Sequence, residues 1–396
     1  MNLSIEEDLD RIFREVSLLE KKLENRMNGN NQIIEIKNDK GIFSESSIIS
    51  STDEDFQTPV SRIKVLGVGG AGCNTVSNLY DIFKNSDVID VYAINTDAYQ
   101  LRRSRANYRV LIGKKTCKGY GAGNDPKRGE EAIRESLEDI KNIIEDTDIL
   151  FVTCGLGGGT GSGAAPVIIE TAKEMGILTV AICTLPFSSE GKKKFENAKE
   201  ALIKIMDHAD TYIFIPNDKL LEIAPKMSIL AAFKLADSVL VTAIRAITDM
   251  ALKSGAINVD FADVLTVLRG GKTTVIGIGE ADTSIENRGI AAVQKALTNP
   301  LLDVDISTAK RALINISGDP NIGVVDVNSI LAYVNSRISS DEEIIWGFFP
   351  DKELNNLIRV TVILTGIDPI VDPEMIDEIF FAKKKTELME IPQVNV

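Results

Sequence analysis

Residues 149–166 read Ile149-Leu150-Phe151-Val152-Thr153-Cys154-Gly155-Leu156-Gly157-Gly158-Gly159-Thr160-Gly161-Ser162-Gly163-Ala164-Ala165-Pro166. The first half is a short apolar run of the kind that forms a buried strand. The second half is a glycine loop, and residues 167–175 continue with a helical pattern. Strand, glycine loop and helix together aim free backbone N–H groups at an anion. Glycine tolerates φ > 0 and lets a phosphate approach the backbone closely. The hydroxyls of Thr160 and Ser162 add donors. No Gly-Lys-Ser/Thr ending follows, so this is not the usual P-loop. A flexible linker is the bland alternative, but linkers are not usually flanked by a buried strand and an apolar helix.

Working towards the N-terminus, the same order recurs. Residues 63–66 read as a strand running into Gly67-Val68-Gly69-Gly70-Ala71-Gly72-Cys73-Asn74, with a helix over 75–83. That satisfies the G-x-G-x-x-G dinucleotide fingerprint, a weak signal alone. A strand over 88–94 ends in Asn95-Thr96-Asp97. The Asp97 carboxylate is either a ligand contact at a strand's C-terminal end or a turn residue. A short strand over 110–112 precedes Gly119-Tyr120-Gly121-Ala122-Gly123-Asn124-Asp125-Pro126, and 129–144 reads as one amphipathic helix. Before this body, residues 1–27 carry a heptad-spaced apolar seam, and 28–60 read as a linker.

Towards the C-terminus, 179–185 is a strand, and a loop with Ser188, Glu190 and Lys192 to Lys194 follows. A helix over 195–206 and a strand over 211–215 lead to Pro216-Asn217-Asp218. Alternating strands and helices imply an α/β fold with a doubly wound, mostly parallel sheet. Residues 228–253 form a long central helix capped by Ser228, with Phe233 and Asp237 on one face. By itself that pair reads as a core Phe beside a surface Asp. Asp260 and Asp263 share the first turn of the next helix, where they complement its dipole. Residues 272–372 form a second, α+β unit with strands at 273–278, 312–317, 343–348 and 357–365 and helices near 288–298 and 326–337. The domain plan is therefore 1–27, 28–60, 61–227, 228–253, 254–372 and a tail at 373–396.

The chain has 396 residues and a net charge of −14. That charge argues against a nucleic-acid partner unless a strong local basic patch exists. No apolar run approaches a membrane span of about 20 residues. Acidic residues enter by Glu6, so no signal peptide is read, and a cytoplasmic protein is expected. Cys73, Cys117, Cys154 and Cys183 are spaced as reduced thiols, not as a disulfide frame or zinc site. His208 is the only histidine, which makes a metal pair or a Ser-His-Asp mechanism a poor reading.

The glycine loop at 157–163 together with Asn258-Val259-Asp260-Phe261-Ala262-Asp263 resembles the tubulin/FtsZ superfamily, and the second motif resembles FtsZ in particular. The resemblance covers about 62–366, with a loose likeness of 383–392 to the end of archaeal FtsZ proteins. It implies a GTPase domain, a central helix and a C-terminal domain, GTP/GDP with Mg2+, and head-to-tail filaments at the mid-cell division site. By match, Gly70, Ala71, Gly72, Cys73 and Asn74 hold phosphates, as do Gly159, Thr160 and Gly161, and Asp97, Gly157, Gly158, Ser162 and Gly163 belong to the same nucleotide site. Glu190 contacts ribose, and Lys194 stands where the family usually has arginine. Phe233 stacks on guanine, and Asn217 and Asp237 read its edge. Asn258, Asp260 and Asp263 of the adjacent copy complete the catalytic site, and no protein metal ligands are expected. The tail around Ile391 implies a membrane-anchoring adaptor. The rival readings are a filament scaffold for cell shape, and an NAD-dependent dehydrogenase resting on Gly67 to Gly72.

Overall fold

A computed structural model describes residues 62–219, 228–252, 257, 259–282, 284–298, 305–319, 322–338, 343–351, 354 and 356–367. The N-terminal heptad, the linker, the tail and Asn258 lie outside the described residues. The described ones belong to a single compact unit.

One ten-stranded sheet runs through that unit in the order β3-β2-β1-β4-β5-β6-β7-β10-β8-β9. Its nucleus is β1 (Ile63–Val68), flanked in parallel by β2 (Ile89–Asn95) and β4 (Ile149–Gly155). β3 (Tyr108–Leu111) lies outside β2, and β5 (Leu178–Leu185) and β6 (Thr211–Pro216) extend the other side, all parallel. Parallel strands covered on both faces read as near-continuous apolar runs, and every residue of β5 is buried. On one face lie α1 (Gly69–Phe83), α7 (Ile229–Leu252) and α8 (Phe261–Leu268). On the other lie α3 (Pro126–Glu135), α4 (Leu137–Ile144), α5 (Gly159–Glu174) and α6 (Lys192–His208). Short α2 (Ala98–Arg103) follows β2.

The second unit joins the same sheet. β7 (Lys272–Asp282) pairs with β6 only through Thr211↔Lys272 and Tyr212↔Thr273. It then pairs antiparallel with β10 (Leu357–Thr365) along its length, and β8 (Arg311–Gly318) and β9 (Glu343–Pro350) follow. α9 (Arg288–Leu297) and α10 (Val324–Asn335) cover one face of these strands.

Three sequence readings need correction. The glycine stretches are not loops ahead of helices starting at 75 and 167: α1 starts at Gly69 and α5 at Gly159. Packing between helix and sheet outweighs glycine's poor helix propensity there. The helix expected over 129–144 begins at Pro126, after the Asp125 N-cap, and breaks at Ser136 (φ −110°, ψ 19°) into α3 and α4. Lys192, Lys193 and Lys194 open α6 instead of lying in a loop.

Candidate functional site

The C-terminal ends of β1, β4, β5 and β6 share one edge of the sheet, where ligands of open α/β sheets bind. Two helices start there side by side. β1 passes straight into α1 because Gly69 adopts φ 73°. A Cβ on Gly69 would lie 2.9 Å from the Gly161 amide of α5. Neither Val68 nor Gly158, the two N-caps, makes a side-chain cap bond. The first-turn N–H groups of both helices are thus left without side-chain acceptors and can take an anion. Gly70 is half-buried, Ala71 and Asn74 are exposed, and a Cβ on Gly158 would meet nothing within 4 Å.

Some of the residues named from sequence do not reach this surface with their side chains. Ser162 is 3% exposed, and its Oγ accepts from the Gly157 amide at 2.8 Å, so it holds the loop's shape. A Cβ on Gly163 would run into the Pro126 carbonyl and the Glu130 amide of α3. Gly72 is needed for the same reason against the Thr153 carbonyl of β4. These glycines serve packing. The Cys73 thiol is fully buried, faces the Ile94 and Gly67 carbonyls, and is pushed up to about 11 by burial. The Asp97 carboxylate caps α2, accepting from the Tyr99 and Gln100 amides at 2.9 and 3.0 Å through Oδ1. Its turn role is therefore observed.

Neighbours that sequence reasoning missed hold the cradle together. Thr160 Oγ1 lies 2.7 Å from Thr96 Oγ1. Asn197, buried on α6, donates through Nδ2 to the carbonyls of Asn124 and Gly157, at 3.2 Å each. It ties two glycine-rich turns to one helix. The only trace in the sequence is a polar residue at a core position of an amphipathic helix.

Beyond β5, Glu190 is already partnered: Oε1 accepts from the Phe187 amide at 2.9 Å, and Oε2 meets Lys194 Nζ at 2.7 Å. The two residues named for the ribose side hold each other. Farther along the edge lies a slot of different character. The rings of Phe187 and Phe233 meet edge-on at 5.5 Å, with Phe233 43% exposed. Asn217 is 5% exposed, and its Oδ1 has no hydrogen-bond partner among the described residues. A buried acceptor without a donor is costly, so the slot suits a ligand with N–H groups. Asp237 accepts from Thr75 Oγ1 at 3.2 Å. Burial pushes its carboxyl up to about 6, against the pull of that hydrogen bond. The pair on α7 is thus the reverse of a core Phe beside a surface Asp. An exposed ring and a sheltered carboxylate fit a flat heterocycle with edge donors.

Asp260 and Asp263 lie at the other pole. α7 runs away from the slot, and at about 1.5 Å per residue its end at Leu252 is about 20 Å from Asp237. The C-terminal end of α8 is held at the strands' opposite edge. Thr211 Oγ1, at the start of β6, donates to the Leu268 carbonyl, and Arg311 Nη1 donates to the Thr266 carbonyl at 3.1 Å. Both acidic residues are exposed, and Asp260, although at the N-cap position, makes no cap hydrogen bond. Asp263 lies in the first turn of α8, as read from sequence, and the Asp260 carboxylate beside it is left without a cap bond.

The GTPase-domain model of the Tubulin/FtsZ family matches residues 62–225, and the FtsZ family C-terminal domain matches 272–368. "Cell division protein FtsZ 1" of Pyrococcus horikoshii is 48% identical over 322 residues, covering 80% of this chain and 85% of that one. Its namesake from Methanocaldococcus jannaschii is 45% identical over 341 residues, covering 86% and 92%. A solved "FtsZ dimer, empty" from M. jannaschii superposes with a TM-score of 0.75 at 46% identity, over 80% of this chain and 91% of that one. With both poles of the molecule inside the matched span, the chain belongs to the FtsZ family of tubulin-like GTPases.

Proposed function

We propose that the edge formed by α1, α5, β5 and β6 binds GTP, and that Asp260 and Asp263 of a second copy complete the site. Phosphates would lie against the first turns of α1 and α5, from Gly70 to Asn74 and from Gly158 to Gly161. Guanine would enter the slot, its ring on Phe233, with its edge N–H groups given to Asp237 and Asn217 Oδ1. Glu190 would reach ribose by exchanging one of its present partners. One observation carries the reading: cradle and acidic pair stand at opposite poles of one rigid sheet, so no single copy can bring them together. Stacking copies along the strand direction does so, and such a contact is heterologous and builds an open filament.

In that joint the acidic carboxylates orient and polarise the attacking water, while helix N-termini offset charge developing on the phosphate. No group of three His, Cys, Asp or Glu side chains among the described residues could hold a metal. Magnesium would then be held by the phosphates and water, as is usual for this ion, and would neutralise their charge. The division-protein names of the relatives support a role at mid-cell. The loose likeness at 383–392, outside the described residues, is what supports a tail-borne membrane adaptor.

Asp260→Ala should leave GTP affinity within about twofold of wild type while turnover falls about 10²-fold or more. Turnover unchanged in that variant refutes the shared site; equilibrium binding and phosphate release measure the two halves separately.

A further inference from the structure

The free flank of the sheet at β3 carries a charge pattern that the nucleotide site does not use. Residues 98–120 contain seven basic side chains and no acidic one, in a chain of net charge −14. All seven are exposed. Arg105 pairs with Asp81 at 2.6 Å, and Arg109 Nε donates to the Ser104 carbonyl. Arg102, Arg103, Lys114, Lys115 and Lys118 have no ion pair among the described residues. The carboxylates bonded to the segment are taken up within it: Asp97 caps α2, and Glu135 accepts from the backbone amides of Lys115 and Thr116. α3 brings Glu131 and Arg128 up to Cys117, one charge of each sign. Charges on an edge strand block strand pairing. That accounts for Arg109 on β3, but α2 and residues 114–118 are not on the edge strand.

Three tyrosines stand among these cations. Tyr99, Tyr108 and Tyr120 are 72%, 51% and 88% exposed. Arg103 lies 5.8 Å over the Tyr99 ring, and Tyr108 stacks on Tyr92 with centroids 4.7 Å apart. The Ala98 amide bonds the Gly119 carbonyl at 3.0 Å, and Tyr120 bridges to Asp97, so helix and loop form one surface. The geometry points to a surface for single-stranded nucleic acid, its phosphates on the free arginines and lysines and its bases stacked on the tyrosines. Cations interleaved with exposed rings suit a single strand of any sequence, because every base offers a π face. The overall negative charge argues against such a partner only where no local basic patch exists, and here one does. At about 0.1 M salt, charges beyond about 10 Å are largely screened, so a strand on this flank is governed by the patch. An anionic membrane is the other polyanion that meets basic patches. Holding a membrane surface takes apolar side chains inserted beside the charges, and the large exposed hydrophobics of this segment are the tyrosines alone. A duplex offers phosphates but keeps its base faces stacked inside. The inference rests on the flank itself, not on the proposed nucleotide or filament chemistry.

The test titrates the full chain, with and without saturating GDP, against labelled oligo(dT) and oligo(U) of about 12 nucleotides, read by fluorescence anisotropy. At about 0.1 M salt the Kd should lie at about 1–100 μM, and log affinity should fall with log salt at a slope of about −3, the value for four or five phosphates of a single strand. Arg102→Gln/Arg103→Gln/Lys114→Gln/Lys115→Gln should bind about 10²-fold more weakly, with a slope of about −1. Tyr99→Ala should lose about tenfold on single strands at an unchanged slope, and nothing on a duplex of the same length. Wild type that binds neither oligonucleotide overturns the proposal, as does a fourfold variant that binds as tightly. Tyr99→Ala without effect on single strands overturns it too, since charge alone would then be at work. So does displacement of the strand by GDP, which would put it in the cradle, or a loss confined to phosphatidylserine vesicles. Should the fourfold variant melt early, the wild-type salt slope and Tyr99→Ala decide.

Discussion

Asp237 couples protonation to both stability and the proposed base contact. Its carboxyl is raised from 3.8 to about 6 by burial. A carboxyl raised in the folded state binds its proton more tightly there than in the unfolded chain. Stability is therefore greatest below about pH 4 as far as this group is concerned, and falls as pH rises towards 6. Asp237→Asn should accordingly stabilise the fold by about 1–2 kcal/mol at pH 7, allowing for solvent screening of a partly exposed group, and by almost nothing at pH 4. Thermal melts at the two pH values check this. Guanine affinity should move the other way. Only the ionised carboxylate accepts two N–H groups, so wild-type affinity for GTP should decline below pH 6 and that of Asp237→Asn should be weak and free of this titration. Thr75 was not legible as a participant. Its Oγ1 meets a carboxylate 162 positions away, and no local pattern reports a contact of that range. Phe233 and Asp237 were legible as a pair because i,i+4 spacing fixes a shared helix face. Which of the two is sheltered was not, because that depends on what α1 and β5 place beside them.

At the scale of elements, the two glycine-rich helix starts separate into positions that face the ligand and positions that face the protein. Gly158→Ala adds a methyl where nothing lies within 4 Å, at an ordinary φ of −84°. Stability should stay within about 0.5 kcal/mol of wild type, while GTP affinity drops if phosphate packs on that backbone. Gly163→Ala drives a methyl into the Pro126 carbonyl, and α3 must shift. It should cost about 1–3 kcal/mol in denaturant titrations. The repeated strand–glycine–helix order was legible because apolar runs and glycine clusters are local. The true helix starts were not, since glycine's intrinsic preference points away from helix and only tertiary packing reverses it. The break at Ser136 has a similar cause. The apolar pattern runs on across it, and the change of direction appears only in the backbone angles.

For the molecule as a whole, the separation of cradle and acidic pair predicts complementation. Asp260→Ala keeps a sound cradle, and a cradle variant such as Gly158→Val keeps sound acidic residues. Each alone should be nearly inactive. Mixed in equal amounts, they should regain about a quarter of wild-type turnover, since random stacking joins a good cradle to a good acidic face in that share of contacts. A mixture no more active than its parts would place both halves of the chemistry within one copy. The continuity of the sheet across β6 and β7 was not foreseen, because two paired residues at Thr211 and Tyr212 leave no periodic trace in sequence.

The opposed poles have one more consequence. Every filament ends in a copy whose cradle no neighbour covers. If the acidic pair of the next copy activates the water, as proposed, the nucleotide there outlives those behind it. A pair of copies has two cradles and a single joint, so half of its nucleotide persists. A long filament has nearly as many joints as copies and retains almost none. On that reading, length acts as a timer.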